Sequence, residues 1–181
     1  MTRSRGLGDV YKRQVMENGD LKQLASPYEI SAKPSNVFVA SFIGEPPMNI
    51  LRAKINKSND TLKFEILNEK NEKTFSINFS NESIQKENVN KLANDQLITL
   101  GIRPHKIFFN QKDSNCDGKA SSSSYHWLGD QVHIGIEING SSIIGVADRN
   151  FEPSSDVKLN FPLESINIFN LETGEVILNG L

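Results

Sequence analysis

Residues 15–51 read VMENGDLKQLASPYEISAKPSNVFVASFIGEPPMNIL, and the punctuation of this stretch sets the reading of everything after it. Asn18-Gly19, between short runs of mixed apolar and polar residues, is the preferred two-residue hairpin loop because both positions accept a positive φ. Ser26-Pro27-Tyr28-Glu29 has the form of a capping box: Ser26 accepts from the third backbone N–H, Glu29 reaches back, and Pro27 sits where no N–H is missed. Pro34 opens a second run of the same kind. Val37, Phe38, Val39, Ala40, Phe42 and Ile43 leave it little polar face, so this helix is expected to be buried on most sides. Gly44 supplies a helix stop and Pro46-Pro47 prevents resumption. The expectation is a hairpin, two short helices over 27–33 and 34–43, and a stiff exit.

Upstream of this stretch the character changes. Arg3, Arg5, Lys12 and Arg13 against Asp9 give residues 1–14 a charge of +3, which leaves −5 on the remainder of a chain whose net charge is −2. A basic arm is one reading of such a tail. Gly6-Leu7-Gly8-Asp9-Val10-Tyr11-Lys12-Arg13-Gln14 also resembles translated sequencing-adaptor DNA, so residues 1–14 are set aside as an artefactual tail and Val15 is taken as the first genuine residue.

Downstream, from Ile50 onward, the apolar period falls from 3.6 to 2. Strands are expected over 50–56, 61–67, 73–78, 97–103, 106–109, 125–127, 131–138, 142–147, 156–161, 165–169 and 176–178. The clearest pair is Val132, Ile134, Ile136 and Ile138 alternating into Asn139-Gly140, with Ile144 and Val146 returning. Many short strands with close turn signals argue a mainly β barrel or sandwich. Residues 83–94 are polar and hold at most one short helix. Residues 111–124, QKDSNCDGKASSSS, lack an apolar pattern and are expected to be an exposed, mobile loop. A length of 181 residues allows one ordinary domain with a small appendage, and no apolar run approaches the ~18 residues that span a bilayer. The single cysteine, Cys116, excludes an internal disulfide and fits a reducing compartment.

Pro27, Glu29, Ile30, Pro34, Phe38-Val39-Ala40, Phe42-Ile43-Gly44, Pro47-Met48-Asn49 and Leu51 form an ordered set over some thirty residues. That set resembles the end of the ATP-binding domain of sugar-importing ABC transporters, where it passes into a C-terminal β-domain. The Pro-Met-Asn is more like carbohydrate and glycerol-phosphate importers than polyamine or iron importers. Gly101-Ile102-Arg103-Pro104, then Leu128-Gly129-Asp130 with His133 and Gly140, then Ile166-Asn167-Ile168-Phe169-Asn170 and Thr173-Gly174-Glu175, resemble the elements of that family's TOBE domain, an oligonucleotide-binding-type barrel. Two departures stand out: His105 replaces the acidic residue usual after Pro104, and His126-Trp127 stand where a Glu usually precedes the Leu-Gly pair. The resemblance implies three segments: the tail at 1–14, the C-terminal end of a nucleotide-binding domain at 15–45, and a TOBE-type regulatory β-domain at 46–181.

No candidate for bond chemistry emerges. Phosphate cradling needs a Gly-rich loop with Lys at a helix N-terminus, and no G-x-x-x-x-G-K-[ST] occurs in the chain. His126 and His133 are an odd number apart, so on one continuous strand they face opposite sides; Gly129 is the one residue that breaks such a strand. With Cys116 and His105 they supply no convincing ligand set, and solvated histidines are expected. Ser121–Ser124 beside His126 lack the rigid turn, oriented base and oxyanion hole of a nucleophile. Arg103 is open to an anion or partner carboxylate, to a structural ion pair, or to a turn-closing hydrogen bond. Trp127 is expected in the core or at a lobe interface.

The expected function is that of an accessory and regulatory part of an importer's ATPase subunit. No catalytic, cofactor-binding or metal residue is assigned, and the chain is expected not to be an enzyme. ATP and Mg belong to the full-length parent. The resemblance implies as partners a second copy of the subunit, the permease subunits and a regulatory protein, at the cytoplasmic face of the membrane. The alternative is a free-standing barrel that binds a small oxyanion or single-stranded nucleic acid. A body charge of −5 with 8% aromatics speaks against nucleic acid.

Overall fold

Asn18 and Gly19 take positive φ, 51° and 91°, and close a hairpin between β1 (Arg13–Glu17) and β2 (Asp20–Ala25). The computed structural model describes residues 11–58, 61–80, 90–109, 114–152 and 156–180. Of the tail at 1–14, residues 1–10 fall outside this description, while Arg13 and Gln14 pair with Ala25 and Leu24 as part of β1. The expected capping box starts α1 (Pro27–Ala32): the Glu29 N–H donates to Ser26 Oγ at 3.2 Å and the Ser26 N–H donates to Glu29 Oε2 at 3.0 Å. Those bonds from the Ser26 backbone and hydroxyl hold the Glu29 carboxyl below its ordinary value.

The second helix differs from expectation. α2 (Val37–Phe42) starts three residues after Pro34, with Asn36 as N-cap accepting from the Val39 N–H at 2.9 Å. Tertiary hydrogen bonds hold the preceding residues extended. The Ser35 N–H donates to Gln23 Oε1 at 2.9 Å, the Val176 N–H donates to Ser35 O at 2.9 Å, and Asn36 bridges to Glu175. Nor is α2 buried on most sides. Val39 and Ala40 are fully buried, but Phe42 is 66% exposed and stacks on Phe38 with ring centroids 5.5 Å apart. A six-residue helix has room for one buried stripe, and its other face goes to solvent.

The rest is mainly β, as expected. The strands are β3 (Asn49–Lys57), β4 (Thr61–Leu67), β5 (Lys73–Ser80), β6 (Leu97–Ile102), β7 (Phe108–Phe109), β8 (Ala120–Leu128), β9 (Gln131–Ile138), β10 (Ser141–Asp148), β11 (Leu159–Asn160), β12 (Ile166–Asn170) and β13 (Val176–Asn179). One antiparallel sheet has the order β13-β12-β6-β3-β4-β5, a second has β10-β9-β8, and β11 pairs with β7. A single core, with Phe64, Phe75, Leu100, Ile134, Ile136 and Phe161 at its centre, is shared between them. The Asn139-Gly140 hairpin forms with Val132, Ile134, Ile136 and Ile138 all inward, but the return strand corrects the reading: Ile143, opposite Ile136, is buried, while Ile144 and Val146 pair with Gly135 and His133 on the other face. Residues 104–106, partly expected as strand, form a 3-10 turn that Pro104 opens. The short helix expected within 83–94 lies largely outside the described residues.

The mobile loop expected at 111–124 is a correction. Residues 111–113 are outside the described set, but Ser121–Ser124 belong to β8, and residues 114–117 are tied to β5 and to the chain at β11. Asn115 exchanges two side-chain bonds with the Phe161 backbone at 2.8 and 2.9 Å, and Asn78 N–H donates to Asn115 O at 2.9 Å. Asp117 accepts from the backbone N–H and hydroxyl of Ser76 and from Lys73 Nζ at 3.2 Å. Polar composition was read as solvation, whereas these side chains stand in for ladder partners.

Burial acts to raise the Asp117 carboxyl, but the Ser76 hydrogen bonds and Lys73 outweigh it and leave it below its ordinary value. Asp117→Asn is therefore expected to cost about 1–2 kcal/mol at neutral pH, at the lower end because the carboxylate is partly solvated. Its pKa is lower in the folded than in the unfolded chain, so the wild-type advantage is complete above ~3.9 and disappears as pH falls through the folded value. Urea denaturation of both proteins at a series of pH values measures this difference.

Candidate functional site

β6 runs through the middle of the six-stranded sheet, between β12 and β3, and ends at Ile102 where Pro104 forces a turn. Arg103 leaves the sheet at that point and crosses to the two helices. Its Nε and Nη2 donate to Ser31 O at 3.3 and 2.9 Å, and its Nη1 donates to Ala40 O at 3.1 Å and to Ile43 O. Ser31 lies in the last turn of α1, and Ala40 and Ile43 lie at the end of α2. The last carbonyls of a helix have no partner within it and carry the negative end of its dipole. One planar guanidinium, spreading its N–H groups in a rigid fork, satisfies both helix ends together.

Arg103 is 6% exposed, and this desolvation lowers its pKa, although a guanidinium remains charged at neutral pH. Among the described residues it has no carboxylate partner. The expected ion pair or turn-closing hydrogen bond is corrected: Arg103 donates to helix-end carbonyls 60 to 72 residues away in the chain. His105 is pushed below its ordinary value by desolvation and by the charges of Lys106 and Arg103. A cleft of about 330 Å³ beside the clamp is lined by Tyr28, Arg103, His105, Lys106, Glu164 and Asn167 among others.

Other residues quoted for the family resemblance meet at the same junction. Gly44 has φ +112°, and a Cβ there would lie 2.9 Å from Arg103 Nη1, so the chain turns under the guanidinium only with glycine. At Gly101 a Cβ would meet Met48 Sδ at 2.5 Å and Phe169 Cε2 at 2.8 Å; Met48 and Phe169 pack with Ala40 of α2 in a small core of their own. The Val37 N–H, at the start of α2, donates to Gly174 O at 2.9 Å. Asn49 acts as a strand partner. Its Nδ2 donates to Ile144 O at 2.8 Å, its Oδ1 accepts from the Ile144 N–H at 2.8 Å, and Nδ2 also reaches Ile102 O at 3.3 Å. That stitch joins β3 to β10 of the other sheet. Sequence reasoning quoted Asn49 without a role; a lone amide at a strand start after Pro-Pro was the available signal.

The remaining candidates separate. Ser121–Ser124 line β8, with Ser124 seated over Gly135. Cys116 is partly buried against the core, and burial pushes its thiol up to about 11. Trp127 is 56% exposed, edge-on to Tyr125 with centroids 5.6 Å apart, so its placement in a core is corrected. The chain does break at Gly129, the exception allowed for His126 and His133: a turn at Gly129-Asp130 reverses it and sets the two directly opposite each other on β8 and β9. No group of three or more His, Cys, Asp or Glu residues placed to hold a metal occurs among the described residues.

No protein-family model matches the chain. It is 26% identical over 165 residues to the uncharacterized ABC transporter ATP-binding protein YcjV of Escherichia coli, covering 88% of this chain and 41% of that protein. It is 26% identical to the xylose/arabinose import ATP-binding protein XacJ of Haloferax volcanii, covering 91% and 43%, and 24% identical to the uncharacterized ABC transporter ATP-binding protein YurJ of Bacillus subtilis, covering 90% and 44%. These matches support kinship with the ATP-binding subunits of ABC importers. The chain spans less than half the length of these curated relatives. A crystal structure of the cytoplasmic molybdate-binding protein ModG with molybdate bound aligns with 66% of this chain and 94% of its own, at a TM-score of 0.44 and 9% identity. That likeness is too low to carry a ligand across.

Arg103→Lys is expected to destabilise the protein by about 2 kcal/mol, because a single ammonium cannot span the carbonyls of both helices and leaves buried acceptors unpaired. Amides of residues 27–43 are expected to exchange faster with deuterium, while those of β9 keep their relative protection. The surface change Lys106→Gln is expected to stay within about 0.5 kcal/mol in the same denaturation series.

Proposed function

We propose that this chain is the accessory C-terminal part of the ATP-binding subunit of an ABC importer for carbohydrates or related solutes, and that it serves dimer contact and regulation. The observation that carries this reading is the similarity over about nine tenths of the chain to proteins named as ATP-binding subunits, including one for xylose and arabinose import. The clamp supports it. Arg103 ties the two helices, the end of the nucleotide-binding domain in this reading, to the central strand of the β-domain, so a displacement of one is passed to the other without slack. The β-domain is the TOBE-type module.

The contribution is positional. In this reading the chain makes and breaks no bonds and holds no cofactor, and ATP and Mg act in the parent's catalytic domain. The exposed apolar residues of the hairpin and α2, Leu21 at 53%, Leu24 at 48% and Phe42 at 66%, are the surface that the parent's catalytic domain covers. The β-domains of two subunits stay together through the transport cycle and keep the halves at high effective concentration. A regulator that docks better on one state biases the cycle in the linkage sense. The permease subunits are the membrane partners, and the work is done peripherally at the cytoplasmic face; no nucleic acid takes part.

Sedimentation of the purified chain is expected to show a concentration-dependent dimer, and calorimetric titration is expected to show no binding of Mg-ATP, molybdate or single-stranded DNA. A monomer at all accessible concentrations overturns the dimer-contact role. Saturable binding of molybdate or DNA tighter than roughly micromolar, ~8 kcal/mol, makes a free-standing binding barrel the better account.

A further inference from the structure

His126 and His133 sit on the β8–β9 hairpin, whose turn is Gly129-Asp130 with Gly129 at φ +69°. Their register pairs them directly, with Trp127 opposite Val132 and Tyr125 opposite Ile134 on the flanking rungs. Val132 and Ile134 are fully buried, so alternation puts His133 on the outer face of the sheet. Residues directly opposite on an antiparallel pair share a face, with Cβ atoms ~4.5–5.5 Å apart. Both imidazoles therefore stand side by side on the outer face of β8 and β9.

Their surroundings leave them available. Neither imidazole has a hydrogen bond or an ion pair among the described residues. On the same face the next rung toward the turn carries Leu128, Gln131 and Asp148, and the next rung away carries Ser124, Gly135 and Ile144. No Lys or Arg stands on either rung, and the one charge there is the Asp148 carboxylate. Within the three-stranded sheet β8 is an edge strand and His126 on it is exposed, so ligand positions beyond the pair are open to water.

We infer that His126 and His133 form a two-imidazole seat for a late first-row divalent cation of the zinc, nickel and copper class. Imidazole nitrogens select these ions over magnesium and calcium, which prefer oxygen ligands at larger coordination number. A metal–nitrogen distance of ~2.0–2.1 Å lets two rings on facing Cβ atoms close on one ion, which lone solvated histidines do not do. Because one ligand comes from each strand, the bound ion fastens the outer strand β8 to β9 near its turn. The seat depends on the hairpin register and is independent of the transporter reading.

The test titrates the full chain, free of any histidine tag, with NiCl2, ZnCl2 and MgCl2. Nickel binding is followed by quenching of Trp127, the single tryptophan and the residue next to His126, and zinc binding by calorimetry. One equivalent of nickel or zinc is expected to bind, with magnesium failing to compete. His126→Ala and His133→Ala are each expected to weaken binding at least tenfold, the double variant little more than either, and His105→Ala not at all. His126 is exposed and His133 partly so, and unchanged near-ultraviolet circular dichroism of the variants shows that they fold. Single variants that bind as well as wild type, losses of twofold or less that simply add, or equal competition by magnesium each overturn the seat.

Discussion

The buried guanidinium of Arg103 is the constraint on which the arrangement of this chain depends. Two helices of six residues each are too short to persist on their own, since the cost of nucleation is spread over few hydrogen bonds. Their C-terminal carbonyls point into a largely buried junction, where an unpaired acceptor is costly. Arg103 meets that demand from the end of β6, and its own burial is tolerable only because carbonyls at the negative ends of two helices surround it. Neither partner is at ease without the other. Gly44 and Gly101 are the steric conditions of the contact, one under the guanidinium and one under Met48.

The same exchange of side chains for backbone partners recurs through the β-region. Asn49 substitutes for a strand at Ile144, Asn115 for one at Phe161, and the Asp117 carboxylate closes on the N–H and hydroxyl of Ser76. Such contacts let a chain of only 37% hydrophobic residues join two sheets around one core, because strands need not end where their ladder ends. They also place the family-like residues in a physical scheme. Gly101, Arg103 and Gly174 bear on the junction between the helices and the six-stranded sheet, and Asn49 on the seam between the two sheets.

Much of the architecture was legible because its signals are local. Asn18-Gly19 and Asn139-Gly140 specify their turns through backbone angles that few other pairs adopt, and Ser26 with Glu29 caps α1 through atoms three residues apart. The alternation of Val132, Ile134, Ile136 and Ile138 names its own buried face. The start of α2 was not legible, since what holds Ser35 and Asn36 extended is the distant backbone near Glu175 and Val176. The segment 111–124 misled for a related reason: the side chains of Ser114, Asn115 and Asp117 have the polar pattern of a solvated loop, but their partners are Leu159, Phe161 and Ser76.

The sequence by itself determined the mainly β class, the two glycine hairpins, the capped first helix and the likeness to importer ATP-binding subunits, all of which rest on contacts within a few residues or on ordered motifs. Only the tertiary structure decided what Arg103 holds, how Asn49 joins the sheets and that His126 faces His133. Each of these depends on which strands lie side by side and in what register. Register is set by the summed burial of a whole face, and no single residue carries that sum.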